Sequence, residues 1–343
     1  MRYFSIIDDA ALRAGAEALC AGELVAFPTE TVYGLGADAF NALALAKVFE
    51  AKQRPRFDPL IVHIADLDSV ERLADLSLLD AAARARFDTL AHALWPGPLT
   101  LILPKQRAVP ELATSGLPTV ALRFPQHDVA LALIRAAGGA IAAPSANPFG
   151  YLSPTRAEHV REQLGEKVAV ILDGGPCGIG VESSVLELVS DTPRILRPGG
   201  MPRERIEALI GAVELGAAST VTKPHSPGQL KSHYAPRTSL TLHSRAEMLE
   251  LPWEPASAWL FFDGDTRNLW LRRRAITAGH DHGRIYTLSE HGNLAVAAAA
   301  LFETLYKIDH AGASIIHTQR VPGAGLGNAI NDRLERAAVG LSC

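Results

Sequence analysis

Short apolar, β-branched runs alternate with helical periodicity over the first 210 residues, and this alternation commits the region to an α/β sheet. The spacing predicts helices at about 9–21, 41–52, 79–94, 127–137, 155–164 and 202–210. Among them stand LVAF, LIVHI, LTLIL, TVALRF, AIAAPS, VAVIL, SSVLEL and RILR, each of strand length. The periodicity then lapses into GAVELGAASTVTKPHSPGQLKSHYAP, which reads as a long linker. Order resumes with the strands SLTLH, AWLFF, RIYTL and SIIHT, a strong helix over 294–310 and another near the C-terminus. The predicted organisation is a large α/β domain over 1–210, a linker over 211–236 and a smaller, Rossmann-like α/β domain over 237–343.

Composition narrows the function classes. With 343 residues, 48% hydrophobic and 20% charged, the chain reads as globular, with enough material for two cores. A net charge of −4 gives no global basic field for nucleic acid or an acidic membrane, so any RNA contact needs a local patch. Cys20, Cys177 and Cys343 are far apart, odd in number and lack CxxC spacing, so neither a disulfide framework nor a thiolate metal site is indicated, and a reducing compartment fits. The start, MRYFSIIDDA, has no signal-peptide core, and no apolar run reaches the roughly 18 residues of a membrane span. A cytoplasmic protein is expected.

Polar residues gather at strand ends, where α/β sheets bind ligands. FPTETVYGLG (27–36) follows the run at Leu24, and KQRPRFDPLIVH (52–63) sets three cations before a strand that carries His63. TVALRFP with Arg123, APSAN at 143–147, GVESS at 180–184 and RILRPG with Arg197 complete the set. Lys52, Arg54, Arg123 and Arg197 imply an anionic ligand, because a guanidinium fork matches a carboxylate or phosphate. Singly, each has a plain structural reading: Lys52 as a helix-end charge, His63 as a hydrogen-bonded strand residue, APSAN as a capped turn. Ser145 as a hydrolase nucleophile lacks a GxSxG elbow. GAGLG at 323–327 misplaces the third glycine of a dinucleotide turn, and HDH at 280–282 reads as surface decoration before it reads as a metal site.

Taken together, the motifs resemble the YrdC/Sua5 family of L-threonylcarbamoyladenylate synthases. The matching segments are FPTETVYGLG, the KxR of Lys52 and Arg54, PLIVHI, WPGPLT, TVALRFP, the SxN of Ser145 and Asn147, SPTRAEHV, DGG, GVESS and LRPG, in family order from about 20 to 200. SPGQLKSHYAP at 226–236 and the domain after it are similar to the longer, two-domain Sua5 form. The resemblance implies a large twisted sheet with a concave cavity. It also implies condensation of ATP, L-threonine and bicarbonate to an adenylate and pyrophosphate, for the threonylcarbamoyl group on adenosine 37 of tRNA. Mg²⁺ is expected with the nucleotide, and partner proteins are expected to make the final transfer. By the same resemblance, threonine contacts fall on Thr31, His63, Arg123, Ala143 (through its backbone) and Ser183. ATP contacts fall on Arg54, Asp58, Thr119, Ser145, Ser153, Arg197 and Tyr234, with Lys52, Arg54, Ser145 and Asn147 forming the catalytic signature. The linker, carrying Tyr234, is expected to act as a lid.

Three positions depart from the family pattern. Asp58 stands where Asn or His is usual, Gln229 where Met is frequent, and Ser184 where Thr is usual. A carboxylate beside phosphates is repelled, so Asp58 is expected to pair with a neighbouring arginine or the metal-water shell. An RNA-binding YrdC-type module without synthase activity, with weak tRNA contact, is the alternative, and the negative charge disfavours it. Carbamoyl transfer in hydrogenase maturation would need acylphosphatase and zinc-finger segments that this sequence lacks.

Overall fold

The computed structural model describes residues 1–216, 234–274 and 284–340. Most of the expected linker, 217–233, and the HDH at 280–282 therefore lie outside the described residues. The chain divides into two compact units, the first comprising Met1–Phe149, Ser153–Gly178 and Glu182–Leu230. The second takes Gly150–Leu152, Ile179–Val181 and Lys231–Cys343. A hydrogen bond of 2.6 Å from Tyr151 Oη to Asp309 Oδ2 helps tie the first of these short segments to the second unit.

Helices of the first unit are α1 (Asp9–Cys20), α2 (Ala42–Lys52), α3 (Val70–Leu73), α4 (Ala81–Leu94), α5 (Glu111–Thr114), α6 (Asp128–Ala136), α7 (Ala157–Leu164) and α8 (Arg203–Ile210). Asp8, Asn41 and Asp80 cap α1, α2 and α4 by accepting first-turn amides, which fixes where each begins. The strands in the first half of the unit are β1 (Arg2–Phe4), β2 (Val25–Phe27), β3 (Gly34–Asp38), β4 (Ile61–Ile64), β5 (Leu99–Pro104) and β6 (Thr119–Arg123). They are followed by β7 (Ala140–Ala142), β8 (Val170–Leu172), β9 (Ser184–Glu187), β10 (Arg194–Arg197) and β11 (Glu214–Leu215). Among the described residues these form one mixed sheet in the order β1-β8-β2-β3-β7-β4-β6-β5-β9-β10-β11.

Three of these strands are absent from the sequence reading, and one of them, β11, is only two residues long and lies in the stretch expected as linker. β1 is only three residues long. β3, GLGAD, carries glycines where strand propensity favours β-branched residues. Packing demands them: a Cβ on Gly36 would stand 2.8 Å from Ile141 Cγ2 and 2.9 Å from Phe27 Cε1.

The cores show where the functional face lies. One cluster joins residues of α2, α4, α7 and α8 to the sheet, and a second joins α1 and α6 to β2, β7 and β8. A third, Ile61, Ile102, Ala121, Val185 and Leu196, contains strand residues alone. Because side chains alternate along a strand, His63 shares the face of Ile61, Thr100 that of Ile102, and Thr119 and Arg123 that of Ala121. That face of β4, β6, β5 and β9 carries the polar strand-end residues.

The second unit is a parallel four-stranded sheet in the order β12-β15-β13-β14, with β12 (Ser239–His243), β13 (Ala258–Asp263), β14 (Ile285–Ser289) and β15 (Ile315–Gln319). Helices α9 (Arg245–Glu250), α10 (Gly264–Arg273), α11 (Leu294–His310) and α12 (Leu326–Ala338) follow the strands in turn, as parallel crossovers require. Trp259 and Trp270, with ring centroids 4.6 Å apart, anchor one core of this unit. No helix among the described residues is long and apolar enough to cross a membrane.

Candidate active site

Strand register assembles the site. His63 on β4 lies opposite Arg123 on β6, and Arg123 lies opposite Thr100 on β5. Leu99 on β5 lies opposite Ser184 at the head of β9, and the hydroxyl of Ser183, one residue earlier, reaches that of Thr100, their oxygens 2.8 Å apart. A bulge between Ile195 and Arg197 sets Arg197 opposite Val185, where plain alternation would have aimed it the other way. Its guanidinium donates to Ser183 O from Nε at 3.1 Å and Nη2 at 2.9 Å, and to Ser183 Oγ at 3.2 Å. The glycine of LRPG permits this closeness, since a Cβ on Gly199 would lie 2.4 Å from Glu182 O and from Ser184 N.

The KxR and SxN motifs meet beside β4. Lys52 is buried, and its ammonium donates to Ser145 O at 2.6 Å, Asn147 O at 2.5 Å and Asn147 Oδ1 at 3.4 Å. Burial, and then the nearby Arg54 charge, hold its pKa well below the usual lysine value. Lys52 thus staples the SxN loop. The loop is also held by Ala143 N to Ile61 O at 2.9 Å and Leu35 N to Pro144 O at 2.7 Å.

Arg54 and Asp58 form a buried ion pair, Nη2 to Oδ2 2.9 Å. Arg54 also donates from Nε to Asp58 O at 3.0 Å and from Nη2 to Pro59 O at 2.9 Å, so the departure at Asp58 is matched by a local arginine that clamps its own loop. Burial raises the Asp58 pKa, and Arg54, Lys52 and Arg197 oppose that rise. Ser153 Oγ donates to Glu182.

The other end of the site contains Thr31, Glu30, His63 and Arg123. Thr29 Oγ1 lies 2.9 Å from Thr31 Oγ1 and donates to Val32 O, which fixes the PTETV turn. Arg123 Nη2 stands 2.8 Å from Glu30 Oε2 in a nearly buried pair. Beyond that charge contact, Glu30 Oε1 and Oε2 and Arg123 Nε and Nη2 are buried without a hydrogen-bond partner. His63, edge-on to Phe27 at 6.1 Å, is driven to a pKa of about 3 by burial and then by the Arg123 charge, so its ring is neutral.

The structure gathers Thr31, Lys52, Arg54, Asp58, His63, Arg123, Ala143, Ser145, Asn147, Ser153, Ser183 and Arg197 within the first unit. Thr119 opens β6, four residues from Arg123 and so about 13 Å along the strand. Tyr234 belongs to the second unit, where its buried ring lies 4.8 Å from the Arg333 guanidinium and 5.7 Å from Phe302. Three participants went unassigned in the sequence reading: Glu30, Thr100 and Glu182. All lie inside quoted motifs (PTETVYG, WPGPLT, GVESS), but only strand pairing shows what each one meets.

Residues 17–199 match the Sua5/YciO/YrdC family, described as telomere recombination, and residues 201–339 match the C-terminal domain of threonylcarbamoyl-AMP synthase. The chain belongs to the Sua5 family. It is 42% identical to threonylcarbamoyl-AMP synthase of Bacillus subtilis over 97% of this chain and 94% of that protein. The Pyrococcus abyssi synthase is 39% identical, over 97% of this chain and 95% of the relative. The crystal structure of P. abyssi Sua5 complexed with L-threonine superposes with a TM-score of 0.86 at 37% identity, covering 98% of this chain and 96% of that one. The Sua5 relationship therefore spans both units.

Proposed function

We propose that this protein is a threonylcarbamoyl-AMP synthase, a nucleotidyltransferase that joins L-threonine, bicarbonate and ATP into threonylcarbamoyl-AMP with release of pyrophosphate. The adenylate is the donor for tRNA t6A37, and partner proteins complete the transfer. The observation that carries this reading is the alignment of His63, Arg123, Thr100, Ser183 and Arg197 across adjacent strands, one edge away from the Lys52-stapled SxN loop. Near-full-length similarity to relatives named for this activity supports it.

The division of labour follows from charge and geometry. Arg123 suits the threonine carboxylate, while neutral His63 and the hydroxyls of Thr31 and Ser183 suit its side-chain and amine hydrogen bonds. Arg54 and Arg197 bring fixed positive charge toward the phosphates, and Ser145, Asn147 and Ser153 add uncharged polar side chains beside them. Adenylate formation is attack of a carboxylate oxygen on the α-phosphorus, which needs positioning and charge neutralisation and no covalent nucleophile. Mg²⁺ would enter with ATP, held by phosphate oxygens and water. Among the described residues, no group of three or more His, Cys, Asp or Glu side chains is arranged to hold a metal.

The test is incubation with ATP, Mg²⁺, L-threonine and bicarbonate, scored for pyrophosphate and for threonylcarbamoyl-AMP. Both products should depend on threonine and on bicarbonate. ATP consumption indifferent to threonine would remove the reading.

A further inference from the structure

We propose that Glu30 holds the ammonium group of the amino-acid substrate, giving up its pairing with Arg123 as the substrate carboxylate takes Arg123 over. This rests on the reading of the site as a threonine site. Pairing at this point is incomplete: both Glu30 oxygens are buried with no hydrogen-bond donor, and Arg123 buries Nε and Nη2 with no acceptor. A carboxylate out of water needs donors as well as a counter-charge, and here it has only the 2.8 Å contact to one guanidinium nitrogen. The Asp58 oxygens are buried without donors as well, but there Arg54 places two donors on backbone carbonyls and so is anchored, which Arg123 Nε and Nη2 are not.

A ligand carboxylate on Arg123 would draw the cation away from Glu30 and leave a bare buried anion. Among the described residues, the two histidines and the thiol that feel the charges of this pair supply no replacement charge. His63 is neutral, burial lowers the His127 pKa although Glu30 opposes this, and burial lifts the Cys177 thiol to about 12. A zwitterionic amino acid solves both halves at once, its carboxylate entering the Arg123 fork and its ammonium supplying Glu30 with a charge and donors. One internal pair becomes two pairs with the ligand, and the charge of the site is unchanged. Glu30 thereby selects for a free, protonated α-amine next to a carboxylate.

The experiment is calorimetric titration of the full chain and of Glu30→Gln and Glu30→Asp with two ligands. One is L-threonine; the other is 2,3-dihydroxybutyrate, in which a hydroxyl replaces the ammonium. ATP titration serves as the check on the fold. Glu30→Gln should weaken threonine on the order of tenfold to a hundredfold, the scale of a charged hydrogen bond. It should bind the des-amino ligand as well as or better than the natural chain, because Arg123 is no longer contested. Glu30→Asp should regain part of the preference for threonine. Equal loss of both ligands in Glu30→Gln, or unchanged threonine affinity, overturns the proposal. If the natural chain makes the adenylate while Glu30→Gln keeps the natural preference, this proposal alone falls; if the natural chain neither binds threonine nor makes the adenylate, the synthase reading falls with it.

Discussion

Two buried arginine–carboxylate pairs sit in the same unit and do different work. Arg54 and Asp58 are four residues apart on one loop, and Arg54 also grips the carbonyls of Asp58 and Pro59. Arg123 and Glu30 come from different segments, a strand end and the PTETV turn; both carboxylates, Glu30 and Asp58, bury oxygens that accept no hydrogen bond, but Arg123, unlike Arg54, also buries Nε and Nη2 without an acceptor. The first pair closes on its own backbone and stiffens a loop. The second is held open for a ligand, and the difference is visible only when each donor is followed to its acceptor.

The largest expected effect comes from removing Arg123. Arg123→Ala strips Glu30 of its paired cation, so the unfolding free energy should drop by about 3–5 kcal/mol, the usual result of breaking a buried pair. Threonine affinity should fall at least about a hundredfold, while ATP binding to the folded fraction stays near normal. Arg54→Ala should show the reverse pattern, with ATP use impaired and threonine binding retained. Denaturant titration and calorimetry on both variants separate the two outcomes; an Arg123→Ala protein with unaltered threonine affinity would collapse the distinction between the pairs.

A second test uses pH and bears on the open pair. His63, beside Arg123, has a folded pKa of about 3 against an ordinary 6.5, so below 6.5 the unfolded chain binds a proton that the folded chain refuses. Its contribution is complete above 6.5 and is lost as pH falls toward 3. Between those limits the natural chain should lose up to about 1.4 kcal/mol per pH unit through this residue. His63→Gln should flatten the slope, measured as unfolding free energy at pH 6.5, 5.5 and 4.5. An unchanged slope would show that His63 does not carry the acid sensitivity.

Much of this arrangement was legible in the sequence, and the parts that were not share a cause. The six helices expected in the first unit appear within two residues at each end, because capping residues and apolar period both mark them. The four strands expected after 237 appear as a parallel sheet. β3 escaped because its glycines answer to Phe27 and Ile141, residues distant or across a turn, and not to local propensity. In the site, the cations and hydroxyls were readable as motif members, and charge alone left Asp58 two partners, a neighbouring arginine or the metal-water shell, of which the structure shows the arginine. What only the folded sheet reveals is register: that Arg123 faces both His63 and Thr100, and that a bulge turns Arg197 toward Ser183. Glu30 stood in plain view in PTETVYG, but its partner lies 93 positions away, beyond the reach of any local pattern.

The smallest expected effect tests the closed pair. Asp58→Asn keeps the shape and one acceptor oxygen for Arg54 Nη2, and Arg54 retains its bonds to the Asp58 and Pro59 carbonyls. Only the charge is lost, and because Arg54 keeps its two carbonyl acceptors, stability should fall by about 1 kcal/mol. ATP affinity should move by less than about threefold in either direction, since a pair that closes on its own loop has no partner to release to the ligand. Calorimetry with ATP at several magnesium concentrations, alongside denaturant unfolding, measures both quantities. A large gain in ATP affinity with unchanged magnesium dependence and no loss of stability would mean that Asp58 merely repels the nucleotide. Asp58 would then be released from Arg54 by the ligand as Glu30 is from Arg123, and the contrast between the two pairs would disappear.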